Sequence, residues 1–268
     1  MANIHPTAVV DPSAKLGANI QIGPFCVIGP NVKIGDGVVA HSHAVIVGRT
    51  VIGAGCKLFP FAAVGQAPQD TKFHDEPSTL TIGPNTVIRE NVTINPGTEG
   101  GSMATHVGAN CLLMIGAHVA HDCQLGDNVT LVNGATLGGH VSIGDGAIIG
   151  GLSAIHQFVR IGAYSFVGGM SGVAADLIPF GMALGNRAHL NGLNIVGLKR
   201  KGFPREQIHE VRQAYRMLFS SEGTLKERLK DTESMFAKNP LAKQIIDFIK
   251  SESDRSFCVP NNVPAPTR

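Results

Sequence analysis

The chain has 268 residues, a formal charge of +2 at pH 7 and 43% hydrophobic content, the balance of an ordinary soluble protein, with no general affinity for nucleic acid expected. Its start, Met1-Ala2-Asn3-Ile4, lacks a signal-peptide pattern, and no window approaches the roughly 18 to 20 apolar residues of a membrane span, so a cytoplasmic protein with no integral membrane segment is expected. Five cysteines without CxxC spacing argue against a disulfide framework or zinc ribbon, and 33 glycines with no tryptophan imply an aliphatic core and many tight turns.

Ile4, Val10, Leu16, Ile22, Ile28 and Ile34 begin a six-residue period that runs to Val64, resumes in phase at Ile82, Ile88 and Ile94, and restarts one residue out of phase from Val107 to Val173. Twenty-five of the 26 slots hold Val, Ile or Leu, which identifies a structural repeat. With a strand period of two, each slot and the residue two before it point inward. That places Cys26, Cys56, Cys111 and Cys123 inside as buried spacers. Three hexapeptides close an 18-residue triangular coil, and coils stack at about 4.8 Å. The slots therefore predict between eight and nine coils, a parallel β-helical prism roughly 40 Å long within residues 1–189. The general crossover rule favours a right-handed path.

Slots 70 and 76 hold Asp and Glu, so residues 69–77 should leave the prism as a loop. A second excursion over 96–102 accounts for the change of phase. From about Leu190 helical periodicity takes over, defining a second unit over 190–268. Pro204 opens a helix as an N1-type residue, with Ile208, Val211, Tyr215 and Leu218 as its apolar stripe. Thr224 with Glu227 reads as a capping box for a second helix, and Leu241 to Ile249 suggests a third. The tail after Ser253 is expected to be loosely ordered. Six basic residues against two acidic ones between Lys199 and Arg216 make either a solvated helix face or a docking surface for an acidic partner or phosphate.

With 18 residues per coil, His121, His140 and His156 each fall within two residues of one line along the prism, and His118 lies close by on the outward face of its strand. Such a cluster predicts a site at one vertex. Imidazole titrates near neutrality and suits a general base. Three imidazoles could instead bind zinc, as in the hexapeptide-repeat carbonic anhydrases. The pair His118-x-x-His121 differs from the H-x4-H pair of that family, and no metal is expected.

The segments His118-Val119-Ala120-His121-Asp122-Cys123, Gly138-Gly139-His140-Val141, Ile155-His156-Gln157-Phe158 and Asn194 to Phe203 closely resemble those of the acyl-[acyl-carrier-protein]:UDP-N-acetylglucosamine O-acyltransferases, over the whole chain. That resemblance implies a left-handed parallel β-helix with a C-terminal helical domain, an exception to the crossover rule. It implies homotrimers with sites between neighbouring prisms. It also implies transfer of a 3-hydroxyacyl chain from acyl carrier protein to the sugar 3-hydroxyl of UDP-N-acetylglucosamine, the first step of lipid A synthesis, with no cofactor. His121 would be the general base, Asp122 its orienting partner and the Gly139 N–H the oxyanion donor. Asp70, Lys72, His118, His140, Gln157, Asn194, Arg200 and Lys201 would bind sugar nucleotide or acyl donor, with His156 supporting. Lys201 stands where relatives often have a second Arg, and Val196 where some have Glu. Gly169 matches the acyl-length ruler and implies a chain of about fourteen carbons, since a residue without a side chain does not shorten the slot. The rival N-acyltransferase of the same pathway carries a uridine-binding domain before its repeats, for which a clock starting at Ile4 leaves no room. A noncatalytic hexapeptide scaffold is the other alternative.

Overall fold

The computed structural model describes residues 2–261. Between Asn3 and Val173 the chain forms 26 short strands, and up to Ala154–Ile155 each pairs in parallel with a strand 18 residues on wherever no loop intervenes, as Asn3 with Gln21 and Val27 with Val45. They build three sheets of 11, 9 and 8 strands. The result is a left-handed parallel β-helix of eight full coils and two strands of a ninth. In the 11-stranded sheet, Gly181–Leu184 continues the parallel order and His189–Leu193 folds back antiparallel on it.

The six-residue clock is the core. Slots from Ile22 to Val173 are buried, and so are Cys26, Cys56, Cys111 and Cys123. Ile4, on the terminal coil with no neighbour beneath it, is 39% exposed. Burial pushes the Cys123 thiol up to about 12, the state of an inert spacer. Corners recur three residues before a slot with positive φ. Asn turns them at 19, 31, 85, 91, 110 and 128, where its short polar side chain tolerates the left-handed region.

Register explains the interruptions. Across the first loop Arg49 pairs with Thr79, a step of 30, and across the second Thr79 pairs with Ala104, a step of 25. The excess over 18 is 12 residues for the first, which preserves a six-residue phase, and 7 for the second, which shifts it by one.

After the prism come α1 (Ile195–Arg200), α2 (Arg205–Leu218), α3 (Leu225–Phe236) and α4 (Pro240–Lys250). The short α1 escaped the sequence reading because one and a half turns leave no readable apolar stripe. Pro204 caps α2 from outside and is not its first helical residue. Both bonds of the Thr224–Glu227 capping box form. The expected looseness after Ser253 is corrected over the described residues: Phe257 bridges to Asp176, Leu190 N–H donates to the Val259 carbonyl, and Cys258 is buried. The remainder of that tail, 262–268, lies outside the described residues. Among the described residues, no helix is long and apolar enough to cross a membrane.

Candidate active site

His121 and Asp122 turn the corner between the 9-stranded sheet, which His118–Val119 joins, and the 8-stranded sheet, which Gln124–Leu125 joins. Asp122, His140 and Phe158 succeed one another at 18-residue steps and all adopt the left-handed region, with φ of 59°, 62° and 64°. This is the corner conformation that recurs along the prism, as at Phe25, Phe61 and Tyr164, and here it sets three side chains one above another at a single vertex. Backbone bonds hold the stack: His140 N–H donates to the His121 carbonyl and Phe158 N–H to that of Gly139, both at 3.0 Å.

The Asp122 carboxylate is enclosed by the second loop. Thr98 N–H (3.1 Å) and Oγ1 (2.7 Å), Ser102 N–H (2.8 Å) and Oγ (3.1 Å), and His121 Nδ1 (2.9 Å) all face its oxygens. A Cβ on Gly101 would collide with that carboxylate, so only glycine lets the loop close on it. Burial opposes ionisation of Asp122, but the bonds from Thr98, His121 and Ser102 outweigh it and hold its pKa below the usual carboxylate range. An ionised carboxylate only accepts, so Nδ1 of His121 carries the proton and Nε2 is the basic nitrogen. The ring is packed from the next coil, where a Cβ on Gly139 would lie 2.6 Å from its Nε2.

His140 stands edge-on to His121, with ring centroids 5.0 Å apart, and stacks flat on Phe158 at 4.3 Å. Burial lowers its pKa, the carboxylates of Asp122 and Asp70 pull it up, and His121 lowers it; the net fall favours the neutral ring. The first loop leaves the prism at this same vertex, between Ala63–Val64 of the 9-stranded sheet and Thr79–Ile82 of the 8-stranded sheet. His118, bonded through Nδ1 to Thr93 Oγ1 at 2.7 Å, is lowered first by burial and then by His121. Two neutral imidazoles thus flank a third that is oriented by an anion. The first loop is folded on itself, Asp70 Oδ1 accepting from Lys72 N–H, and is tied to the second by Glu76, which accepts from His74 N–H and Glu99 N–H.

The expected line of three imidazoles is only partly realised. His121 and His140 meet, while His156, one coil on, engages Arg255 of the C-terminal segment, and Gln157 follows it exposed at the same corner. Asn194, Arg200 and Lys201 gather elsewhere, around a cavity of about 670 Å³ beside Gly146 and Tyr164, at the corner between the 8- and 11-stranded sheets. Asn194 caps α1 through Gly197 N–H and donates to the Tyr164 carbonyl. Gly169 occupies the third corner, between Phe166–Val167 and Gly172–Val173. One chain therefore distributes the expected residues over three separate corners. Thr98, Gly101, Ser102 and Phe158 were not among the expected site residues; the sequence signal for the first three was the position of the phase-breaking loop, and Phe158 stood at the end of the Ile155-His156-Gln157-Phe158 segment.

Among the described residues, His121, Asp122 and His140 alone form a group able to hold a metal, their ligand atoms lying within 4.8 Å of one another. His121 Nδ1 and the carboxylate are already committed to each other and to the loop, which disfavours their use as ligands.

A repeat prism with a carboxylate-oriented histidine on its edge defines a hexapeptide-repeat transferase, and residues 104–139 match the model for bacterial transferase hexapeptides (six repeats). Residues 176–258 match the family model for UDP-N-acetylglucosamine O-acyltransferase, domain 2. The acyl-[acyl-carrier-protein]–UDP-N-acetylglucosamine O-acyltransferase of Bartonella henselae is 46% identical over 96% of this chain and 94% of its own length, and that of Brucella anthropi 48% over 96% and 92%. The structure of LpxA from Acinetobacter baumannii superposes with a TM-score of 0.92 at 42% identity, covering 96% of this chain and 99% of that one. The chain belongs to the UDP-N-acetylglucosamine O-acyltransferase family and is an acyltransferase.

Proposed function

We propose that the protein transfers a 3-hydroxyacyl chain from acyl carrier protein to the glucosamine 3-hydroxyl of UDP-N-acetylglucosamine, the first step of lipid A biosynthesis, in the cytoplasm. The observation that carries the mechanism is the His121–Asp122 pair: Nδ1 is held at 2.9 Å by a buried carboxylate, so Nε2 is free in protonation to accept a proton. Oriented in this way, His121 removes the hydroxyl proton as the oxygen attacks the thioester carbonyl, and Asp122 stabilises the imidazolium that forms. The Gly139 N–H, one coil away, donates to the oxyanion, a contribution of roughly 3 kcal/mol. Collapse expels the carrier thiol, with the imidazolium returning its proton to the sulfur. No covalent enzyme intermediate is needed, and the buried cysteines offer no competing nucleophile.

His118, His140, Gln157, Asp70 and Lys72 bind sugar nucleotide or acyl donor at this corner, with His156 in support. Asn194, Arg200 and Lys201 bind the nucleotide end from a neighbouring prism of a homotrimer, and Gly169 of a neighbour admits the acyl chain. The separation of the three groups within one chain is what favours this assembly, because a rotation about a threefold axis brings unlike corners together. Residues 1–189 carry the chemistry, and 190–268 the helices whose exposed basic residues, among them Lys199, Arg205, Arg212 and Arg216, attract acidic acyl carrier protein.

The test is acylation of UDP-N-acetylglucosamine by purified protein with 3-hydroxyacyl carrier protein, alongside His121→Ala. Product from the wild type and at least a roughly hundredfold loss in the variant are expected; absence of product with every donor would overturn the reaction.

A further inference from the structure

Arg255 arrives at the catalytic corner from the other end of the chain. Its guanidinium Nη2 lies 2.9 Å from Nδ1 of His156. An arginine side chain has donors and no acceptor, so Nδ1 of His156 must offer its lone pair. The Gln157 carbonyl, 3.2 Å from the same nitrogen, then receives no proton from it. The imidazole is left with its proton on Nε2.

The approach of Arg255 is built. Asp176, fully buried, accepts from Arg160 N–H at 2.9 Å and Nε at 2.8 Å, and from Ser253 Oγ at 2.6 Å. Ser253 Oγ in turn accepts from Arg255 N–H at 3.1 Å. The Asp176 backbone pairs on both sides, its N–H with the Ser256 carbonyl and its carbonyl with Cys258 N–H, each at 2.8 Å. Arg160 also packs on Phe248 of α4 and donates to Ser251. The segment that carries Arg255 is thus held on both sides by one buried residue, Ser253 by the Asp176 carboxylate and Ser256 and Cys258 by the Asp176 backbone. His156 lines an apolar cavity of about 470 Å³ with Ala154, Gly172, Val173, Arg187 and His189, so Arg187 and His189 are the other ionisable groups around that cavity.

We infer that Arg255 is a positioning residue: through its contact with Nδ1 it fixes His156 in the tautomer protonated on Nε2, which presents that N–H to an acceptor oxygen of the bound acyl donor. The functional half of the inference rests on the acyltransferase reading, whereas the tautomer does not.

The experiment is ring-nitrogen NMR on full-length protein labelled at histidine, with His156 assigned from His156→Gln, in wild type, Arg255→Met and Arg255→Lys, together with steady-state kinetics. In the wild type, Nε2 carries the proton. In Arg255→Met the proton moves towards Nδ1, where the Gln157 carbonyl can accept it, and KM for the acyl donor rises roughly tenfold, while KM for the sugar nucleotide stays within about twofold. Arg255→Lys retains a cationic donor, and so folding of the segment, and restores both readouts. A wild-type His156 protonated on Nδ1, an unchanged tautomer in Arg255→Met, or a changed tautomer with an unchanged donor KM would overturn the inference. If the wild type shows no acyl transfer at all, the acyltransferase reading fails, and the NMR result alone decides the link between Arg255 and His156.

Discussion

The carboxylate of Asp122 and Nδ1 of His121 are adjacent in sequence and 2.9 Å apart in space, a contact that neighbouring residues make only because the chain turns a corner between them. Asp122 takes φ of 59° to do so, and Thr98 and Ser102 hold its carboxylate from the opposite side. Asp122→Asn keeps the shape but removes the charge, and an amide can present N–H₂ to Nδ1 and fix the wrong tautomer. We expect kcat to fall about a hundredfold or more with KM little changed. A steady-state comparison with the wild type checks it, and retained kcat would show that the pair does not orient the base.

Acid should destabilise the fold through the same group. Asp122 has a folded pKa below its ordinary value, so the folded state binds fewer protons than the unfolded one. Its stabilisation is present above the usual carboxylate range, near pH 4, and disappears as pH falls through the folded value. His118 and His140, also lowered, act with the same sign, beginning below about pH 6.5. Denaturation midpoints of wild type and Asp122→Asn should therefore converge as pH is lowered below about 4; a constant difference would contradict the assignment.

Gly139→Ala introduces a Cβ 2.6 Å from the His121 ring, closer than nonbonded atoms tolerate. The ring must rotate off Asp122 or the coils must part. Activity should fall at least about tenfold while the melting temperature changes by only a few degrees, since the corner is at the surface. Wild-type turnover in this variant would remove Gly139 from the site.

A Cβ on Gly169 would meet the Gly151 carbonyl oxygen at 3.3 Å, a tight contact, and the Gly151 nitrogen at 3.9 Å, so a side chain there must project away from Gly151. Gly169→Met should shorten the preferred donor from about fourteen carbons towards ten, a difference of four methylenes, each worth about 0.8 kcal/mol when buried. A chain-length series with both proteins reads this directly, and a wild-type preference for ten carbons would refute the reading of Gly169.

Chelation separates proton transfer from metal catalysis at the His121, Asp122, His140 group. Activity should survive exhaustive dialysis against a strong chelator without loss. Abolition by chelation with recovery on adding zinc would make the three residues ligands instead.

The repeat was readable along the chain because its cause is local and periodic: a six-residue unit has one inward slot, and burying it leaves Val, Ile or Leu there from Ile22 to Val173 with a single exception, Ala40. The same periodicity carried the coil count, the buried cysteines, the two loops and the proximity of Gly139 to His121, since an 18-residue coil converts distance in sequence into height along the prism. The capping box at Thr224 was legible for the same reason, both partners lying within one helical turn. Handedness was not local, and the sequence reached it only through resemblance. Nor was the loop around Asp122: Thr98 and Ser102 lie 24 and 20 residues before it, with no fixed repeat to place them. Folding was needed to bring Arg255 to His156, 99 residues apart, because that contact depends on where a helical unit docks. Short-range periodic burial is written residue by residue, whereas contacts across irregular segments depend on the summed packing of everything between them.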